Sequence, residues 1–209
     1  LEQTQIHNSS TVGLWAKTGH VRAVNSIFGN AGNASFFGNI GGSYEFTHCT
    51  FANYWNRSFR STPAVILNDY VPISQTEDFI VPLEKAVFAN CIIDGNQSVE
   101  FGVEQKGEQE LSFTLDYTAL RFDPSDDSIF ENPYYDFNAL EYYPKLIVNK
   151  NASFHNPTQN DFRITQESEF LGLGNKDYAA DIPLDLKGAD RTTSPDLGAL
   201  QHVIFEEED

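Results

Sequence analysis

Asn25-Ser-Ile-Phe-Gly-Asn30, His48-Cys-Thr-Phe-Ala-Asn53 and Asn90-Cys-Ile-Ile-Asp-Gly95 repeat one short pattern: a polar residue suited to a bend, a small residue, a β-branched residue and a large apolar one. Ile6-His-Asn8 is a less complete copy. Aligned on the large apolar position, the copies place Ile6, Phe28, Phe51 and Ile93 at intervals of 22, 23 and 42 residues. A fixed period of this length signals stacked repeats rather than independent strands. The first two intervals equal one turn of a parallel β-solenoid. The third is one turn plus an insertion, or two short turns.

Stacking such turns lets every backbone N–H and C=O pair with the turn above and below. Asn25 and Asn90 then sit at a tight bend, where Asn tolerates the left-handed conformation and its amide can bond the equivalent side chain one turn away. His48 occupies the same slot, so a structural duty is expected of it before a catalytic one. Ser26, Cys49 and Cys91 share the next slot and are expected to point inward as small stacked residues. A buried pair of free thiols is the favoured reading of the two cysteines, with a disulfide between neighbouring turns as the alternative.

Composition agrees with strands. The chain has 209 residues, 40% hydrophobic and 21% charged, with 17 Phe, 9 Tyr and 2 Trp, an aromatic supply suited to β structure. The segments Val21–Phe28, Gly42–Phe51, Ala64–Leu67, Ala86–Ile93 and Leu111–Leu115 read as short strands. Gly and Asn clusters at Gly29–Asn33, Gly38–Gly42 and Asn53–Asn56 separate them. The stretch Ile129–Leu146 is the best candidate for a helix or insertion, and Pro133 and Pro144 keep any helix there short.

These residues carry a family resemblance. Gly41-Gly-Ser-Tyr-Glu-Phe-Thr-His-Cys-Thr-Phe-Ala-Asn-Tyr-Trp55 resembles bacterial right-handed parallel β-helix repeat proteins of the pectate-lyase-like superfamily. The end is similar to the closing segment of secreted β-helix proteins that carry a choice-of-anchor domain. It runs through Phe154-His-Asn-Pro157, Asn160-Asp-Phe-Arg-Ile164, Asp181-Ile, Asp185-Leu-Lys-Gly188, Arg191 and Ser194-Pro-Asp-Leu-Gly-Ala199. The resemblance implies an all-β, right-handed parallel β-helix, with its carboxyl-terminal coils and an irregular cap in this chain. Residues 1–150 would form the coils, with an insertion near 115–146. Residues 151–209 would form the closing coil, the cap and an acidic tail. A last coil exposes a strand edge that must be covered, so Asp190-Arg191 and Asp196-Leu-Gly198 read as cap geometry, with Arg191 bonding carbonyls or a carboxylate.

The resemblance further implies a secreted or cell-surface bacterial protein, often lipid-anchored and linked to glycan handling. It fixes no reaction, because this fold hosts lyases, hydrolases, adhesins and proteins with no known activity. The chain begins at Leu1 and contains no Met, and a removed upstream region holding a signal, an anchor or further coils is expected. The formal net charge is −17, which disfavours nucleic acid and anionic lipid as partners. An acidic polysaccharide would need a local basic patch or bridging Ca²⁺. No apolar stretch is long enough to span a bilayer. Five Asn-x-Ser matches, at Asn8, Asn33, Asn56, Asn96 and Asn151, would be glycosylation sites in a eukaryotic secreted protein.

The densest meeting of cations and aromatics is Tyr54-Trp55-Asn56-Arg57-Ser58-Phe59-Arg60. Trp55 or Tyr54 would stack on a sugar while Arg57 or Arg60 pairs with an anionic group; an ordinary packed loop is the competing reading. Glycoside hydrolysis would need two carboxylates, for which Asp69, Glu84 and Asp94 lie near turn edges. The acidic clusters Asp123–Asp127 and Glu206–Asp209 read as solvated surface and tail. No cofactor motif is present, and Ca²⁺ is the one ion kept in view. The sequence therefore favours a non-catalytic glycan-binding protein or an accessory subunit of an outer-membrane assembly. A polysaccharide lyase or glycoside hydrolase is the rival, and an adhesin or structural spacer the third reading.

Overall fold

The computed structural model describes residues 1–205, so the acidic tail Glu206–Asp209 lies outside the described residues. The protein is all-β with parallel strands, and the one α-helix among the described residues is Lys176–Ala180. Strands fall into three columns that the chain visits in rotation. The first contains Gln5–His7, Ile27–Gly29, Thr50–Asn53 and Ile92–Gly95. The second contains Leu14–Lys17, Phe36–Asn39, Val65–Asn68 and Phe101–Glu104. The third contains His20–Val24, Gly42–Thr47 and Leu83–Ala89.

Strand Phe113–Leu120 bends at Tyr117 and joins two columns. Its beginning pairs with Ala86–Ala89 and its end with Ile92 and Ile93. Lys145–Val148 pairs beyond it, which closes a single nine-stranded curled sheet.

The register places like on like. Ile6 pairs with Phe28, Phe28 with Phe51, and Phe51 with Ile93. The series continues through Leu120 and Val148. Across the 42-residue interval Thr50–Asn53 and Ile92–Gly95 are direct neighbours, so the extra length is an insertion and adds no further strand between them. Part of the extra length forms an antiparallel hairpin, Tyr70–Pro72 with Asp78–Ile80.

Inside, Phe28, Phe36, Phe46, Phe51, Phe88 and Phe101 are completely buried. Phe28 stacks on Phe51 and Phe46 on Phe88, each at 5.1 Å between centroids. Each such ring contributes roughly 1.5–3 kcal/mol of burial energy.

The bend slot is occupied by Asn25, His48, Asn90 and Tyr117, with φ of +48°, +50°, +52° and +46°. The Asn90 amide nitrogen lies 3.0 Å from His48 Nε2, linking neighbouring passes side chain to side chain. In the next slot Ser26, Cys49, Cys91 and Thr118 are all buried. Each donates to the carbonyl two residues earlier, at 2.9, 3.5, 3.3 and 3.2 Å respectively. Both cysteines are free thiols, and burial pushes the Cys91 thiol well up.

The outward side of the first column is apolar and is covered by the segment that follows residue 150. Ile92, Ala119 and Ile147 meet Ala152, Ile164, Phe170 and Leu197. Ile27 and Ala52 meet Phe162, Ala199 and Leu200. The cover is tied down by Gly198 N–H to the Asn90 carbonyl at 2.8 Å and by Ala199 N–H to Thr50 Oγ1 at 3.0 Å. Gly198 has φ of +85°, and a Cβ there would stand 2.6 Å from Thr50 Oγ1, so only glycine fits.

Arg191 is fully buried and donates to the carbonyls of Gly198 and Ala199. Asp185 accepts from the amides of Lys187, Ala189 and Gln201, and Asp196 from those of Gly172 and His202. The segment carrying the closing motif thus runs along a sheet face. The far end of the aromatic column is covered instead by Tyr134, Tyr135, Tyr142 and Tyr143, packed around Phe113 and Phe122. The stretch Ile129–Leu146 forms only short 3₁₀ turns before strand Lys145–Val148.

His48 is completely buried. Burial first, and then the Arg191 guanidinium, pull its pKa from 6.5 down to about 3, with the Gly198 carbonyl opposing. A base whose folded pKa is depressed keeps its full stability contribution above the unfolded pKa. As pH falls below 6.5 the unfolded chain takes up a proton that the folded one refuses, down to about 3. Each pH unit in that window costs up to about 1.4 kcal/mol. We expect His48→Asn, which keeps a side chain suited to the left-handed bend, to flatten this acid dependence. Denaturant midpoints measured between neutral and mildly acidic pH will test it, and parallel curves for the two proteins would contradict the assignment.

Candidate functional site

Where the chain leaves the first column for the second, the register assembles a polar corner. Ile93 pairs with Leu120 and Leu120 with Val148, so the following residues Asp94, Arg121 and Asn149 occupy one slot on three successive passes. On the preceding strand Ala52 holds that slot, and Tyr54 lies two residues beyond it. With Asp123, Lys150, Asn151 and Glu169, Tyr54 and the three slot residues Asp94, Arg121 and Asn149 line a cleft of about 260 Å³.

Asp94 is the least exposed carboxylate of the cleft, 7% accessible. Its Oδ2 accepts from the Tyr54 hydroxyl at 2.9 Å and its Oδ1 from the Gly95 amide at 2.8 Å. Burial raises the Asp94 pKa, while the Gly95 amide, Tyr54 and Arg121 pull it back. Burial and the neighbouring Asp94 push the Tyr54 phenol far up, so it stays a neutral donor.

Arg121 is oriented by its Nε–H bond to the Gln97 carbonyl at 2.8 Å. Lys150 lies 3.7 Å from Glu169, whose other oxygen accepts the Asn151 amide at 2.8 Å. Asn149 grips both backbone groups of Phe122, which fixes the turn that carries Arg121 and Asp123. The result is a preformed set of donors and acceptors with mixed charge. Among the described residues no group of three or more His, Cys, Asp or Glu could hold a metal ion.

The four side chains singled out from the sequence share one loop but differ in placement. Tyr54 lines the cleft. Trp55 is 8% exposed, and its indole N–H donates to Ser58 Oγ at 2.8 Å. Arg57 is exposed and lies over the Trp55 ring, 5.6 Å from its centroid. Arg60 is 4% exposed and pairs with the fully buried Glu100 through two bonds of 2.9 and 2.7 Å.

The same Arg60 guanidinium donates to the carbonyls of Thr62 and Asn53 and to the Asn96 amide oxygen. Glu100 also accepts the amides of Ala64 and Gln97. Burial raises its pKa, with Arg60 opposing. Arg60 is thus the anchor of the loop and Trp55 its floor.

Of the carboxylates weighed for hydrolysis, only Asp94 faces the cleft. Asp69 is buried and binds the amides of Lys106 and Gly107, and Glu84 is exposed on strand Leu83–Ala89. Arg121, Asp123, Lys150 and Glu169 escape a motif search. Extending the repeat past Ile93 to Leu120 and Val148 would have located the first three. Tyr117 in place of Asn in the bend hides that continuation.

This chain matches no protein-family model, no curated protein and no solved structure. The parallel all-β architecture is compatible with the β-helix expected from the sequence, and the comparisons add no family to it.

Glu100→Gln leaves the Arg60 charge buried without its counter-ion, and we expect a loss of roughly 3–5 kcal/mol in unfolding free energy. The double variant Arg60→Met with Glu100→Leu should recover most of that loss while freeing the loop. Denaturant unfolding checks both, and a single variant as stable as the parent would refute the anchor role.

Proposed function

We propose that this chain is part of a right-handed parallel β-helix from a secreted or cell-surface protein, and that the Tyr54–Asp94 cleft binds a neutral glycan without turning it over. Three observations support the β-helix reading. The chain rotates through three strand columns, the pairing is parallel, and one residue series stays in register from Ile6 to Val148. The right hand is the one that parallel crossovers almost always take.

The observation that carries the binding reading is the cleft's balanced polarity. Carboxylates of Asp94, Asp123 and Glu169 stand among the cations Arg121 and Lys150, with amide groups from Asn149 and Asn151. Sugar hydroxyls both donate and accept, so they suit such a lining. A polyanion would meet three carboxylates there and a net charge of −17 beyond. A binding role is favoured over catalysis because two of the three acids already have partners: Asp94 holds Tyr54 and Gly95, and Glu169 holds Lys150 and Asn151.

Affinity electrophoresis through gels containing neutral or acidic polysaccharides tests the reading. We expect a neutral glycan to retard the protein, and Asp94→Asn and Arg121→Ala to weaken retention on the order of tenfold, the worth of one hydrogen bond to a charged group. Indifference to every glycan, or unaltered retention of both variants, would refute the cleft as a binding site. Release of reducing ends at an enzymatic rate would refute the absence of turnover.

A further inference from the structure

The loop that begins at Tyr54 ends on an unusual presentation. Phe59 is 89% exposed, more than any other large hydrophobic side chain among the described residues, and it sits one residue before Arg60, which is buried. A fully solvated Phe is ordinary on a floppy loop. Here the loop is held from below by the Arg60–Glu100 pair. Further bonds run from Arg60 to Thr62, Asn53 and Asn96, from Asn96 to the Trp55 carbonyl, and from Gln97 to the Arg60 carbonyl.

A buried ion pair adds little net stability compared with an apolar filling of the same space, so its best-supported return is a defined conformation. What that conformation presents to solvent is the Phe59 ring and the Arg57 guanidinium, the latter steadied over Trp55. Fixing the backbone that carries an aromatic ring before a ligand arrives removes part of the ordering cost of binding.

We propose that Phe59, with Arg57 two residues before it in the same loop, is the stacking platform of a second glycan subsite, taking the apolar face of a neutral pyranose some rings away from the unit held in the cleft. This rests on the reading of the cleft as a glycan site. Three observations favour a glycan as the occupant. Tyr54 in the cleft and Phe59 are separated by only five residues, so at full extension their Cα atoms lie at most roughly 17 Å apart. Gln97 bridges the two places: its side chain holds the Arg60 carbonyl while its own carbonyl orients Arg121 at the cleft. The pair of groups on offer, one π face and one planar cation that donates hydrogen bonds, matches a sugar ring with its axial C–H groups and equatorial hydroxyls. Trp55, the aromatic residue that the sequence most readily suggests for stacking, serves as the pedestal.

The platform should matter only when the ligand is long enough to reach it. Titration calorimetry with β-1,4-linked gluco-, manno- and xylo-oligosaccharides of increasing length reads this directly. Phe59→Ala should weaken binding of the longest bound oligosaccharide by roughly fivefold to tenfold, while leaving the shortest ligand that still binds unaffected. Phe59→Trp should restore the affinity. Thermal midpoints of both variants should equal that of the parent, because the ring is already in water. Phe79→Ala, another exposed aromatic position, serves as the control and should bind normally.

Wild-type affinity of Phe59→Ala for every length overturns the platform while leaving the cleft in place. An equal loss at all lengths overturns it too, since the ring would then act on the cleft rather than on a distant sugar. Unaltered affinity of Asp94→Asn with a loss in Phe59→Ala would instead remove the cleft from the site. Failure of the wild-type protein to bind any of the oligosaccharides would overturn both.

Discussion

In-register parallel pairing is the constraint on which this molecule depends. Once Phe28 must lie against Phe51 and Phe51 against Ile93, every other position in the repeat inherits a fixed neighbour above and below. That inheritance acts differently on different slots. An inward slot gains by repetition, because stacked rings such as Phe46 and Phe88 remove apolar surface from water and pack at normal aromatic distances. The bend slot must adopt positive φ on each pass, a conformation that Asn accepts cheaply and other residues accept at a cost. His48 and Tyr117 are tolerated there because the passes on either side already dictate the path of the chain, and Asn90 supplies His48 with a partner.

The same constraint creates the need for the long segment after residue 150. A strand column has two sides, and alternation sends Ile27, Ala52, Ile92, Ala119 and Ile147 outward when Phe28, Phe51, Ile93 and Leu120 point in. An outward apolar stripe of that length cannot be left in water. Beyond the short hairpin Phe154–Asn156 with Asp161–Ile164 and the helix Lys176–Ala180, the cover that meets it is irregular, so its backbone groups there need partners that a sheet would have supplied. Asp185 and Asp196 meet this need by accepting backbone amides, and Arg191 by donating to carbonyls. The charges of Asp185, Arg191 and Asp196 are thus explained by hydrogen-bond satisfaction.

This accounts for what could be read in advance. The repeat in Asn25–Asn30, His48–Asn53 and Asn90–Gly95 was legible because three slots of different chemistry recur together, and it places the bends, the inward small residues and the aromatic column. The passes around Leu120 and Val148 were less visible, since Tyr117 replaces the bend Asn and the surrounding sequence is rich in Pro and acid. The location of the cover was not legible at all. Which of two sides a terminal segment packs against depends on an apolar stripe contributed one or two residues at a time by strands far apart in sequence. For the site, local clustering of Tyr54, Trp55, Arg57 and Arg60 singled out one loop, of which the structure places Tyr54 at the cleft. It could not separate the buried anchor and pedestal from the groups left facing solvent, because composition is silent about which way a side chain turns.

The corner between the first and second columns is where such freedom exists. Inward slots are committed to the core, bend slots to positive φ, and the outward side of the first column to its cover. The corner carries fewer of these obligations: Tyr54 still packs against the cover at Phe154, and Asn149 closes its turn on Phe122, while Arg121, Asp123 and Lys150 are left to the cleft. Chemically diverse residues can therefore differ from pass to pass without breaking the stack: Tyr54, Asp94, Arg121 and Lys150 stand there where the core would demand repetition. One further requirement follows. A site built from several passes is only as well defined as its turns, and turns are the least restrained part of a stacked chain. Burying Arg60 against Glu100 meets that requirement. It gives the corner a fixed floor at a desolvation cost that an apolar pair would have avoided, which is why the ion pair is better explained by the geometry it imposes on the Tyr54–Arg60 loop than by the stability it adds.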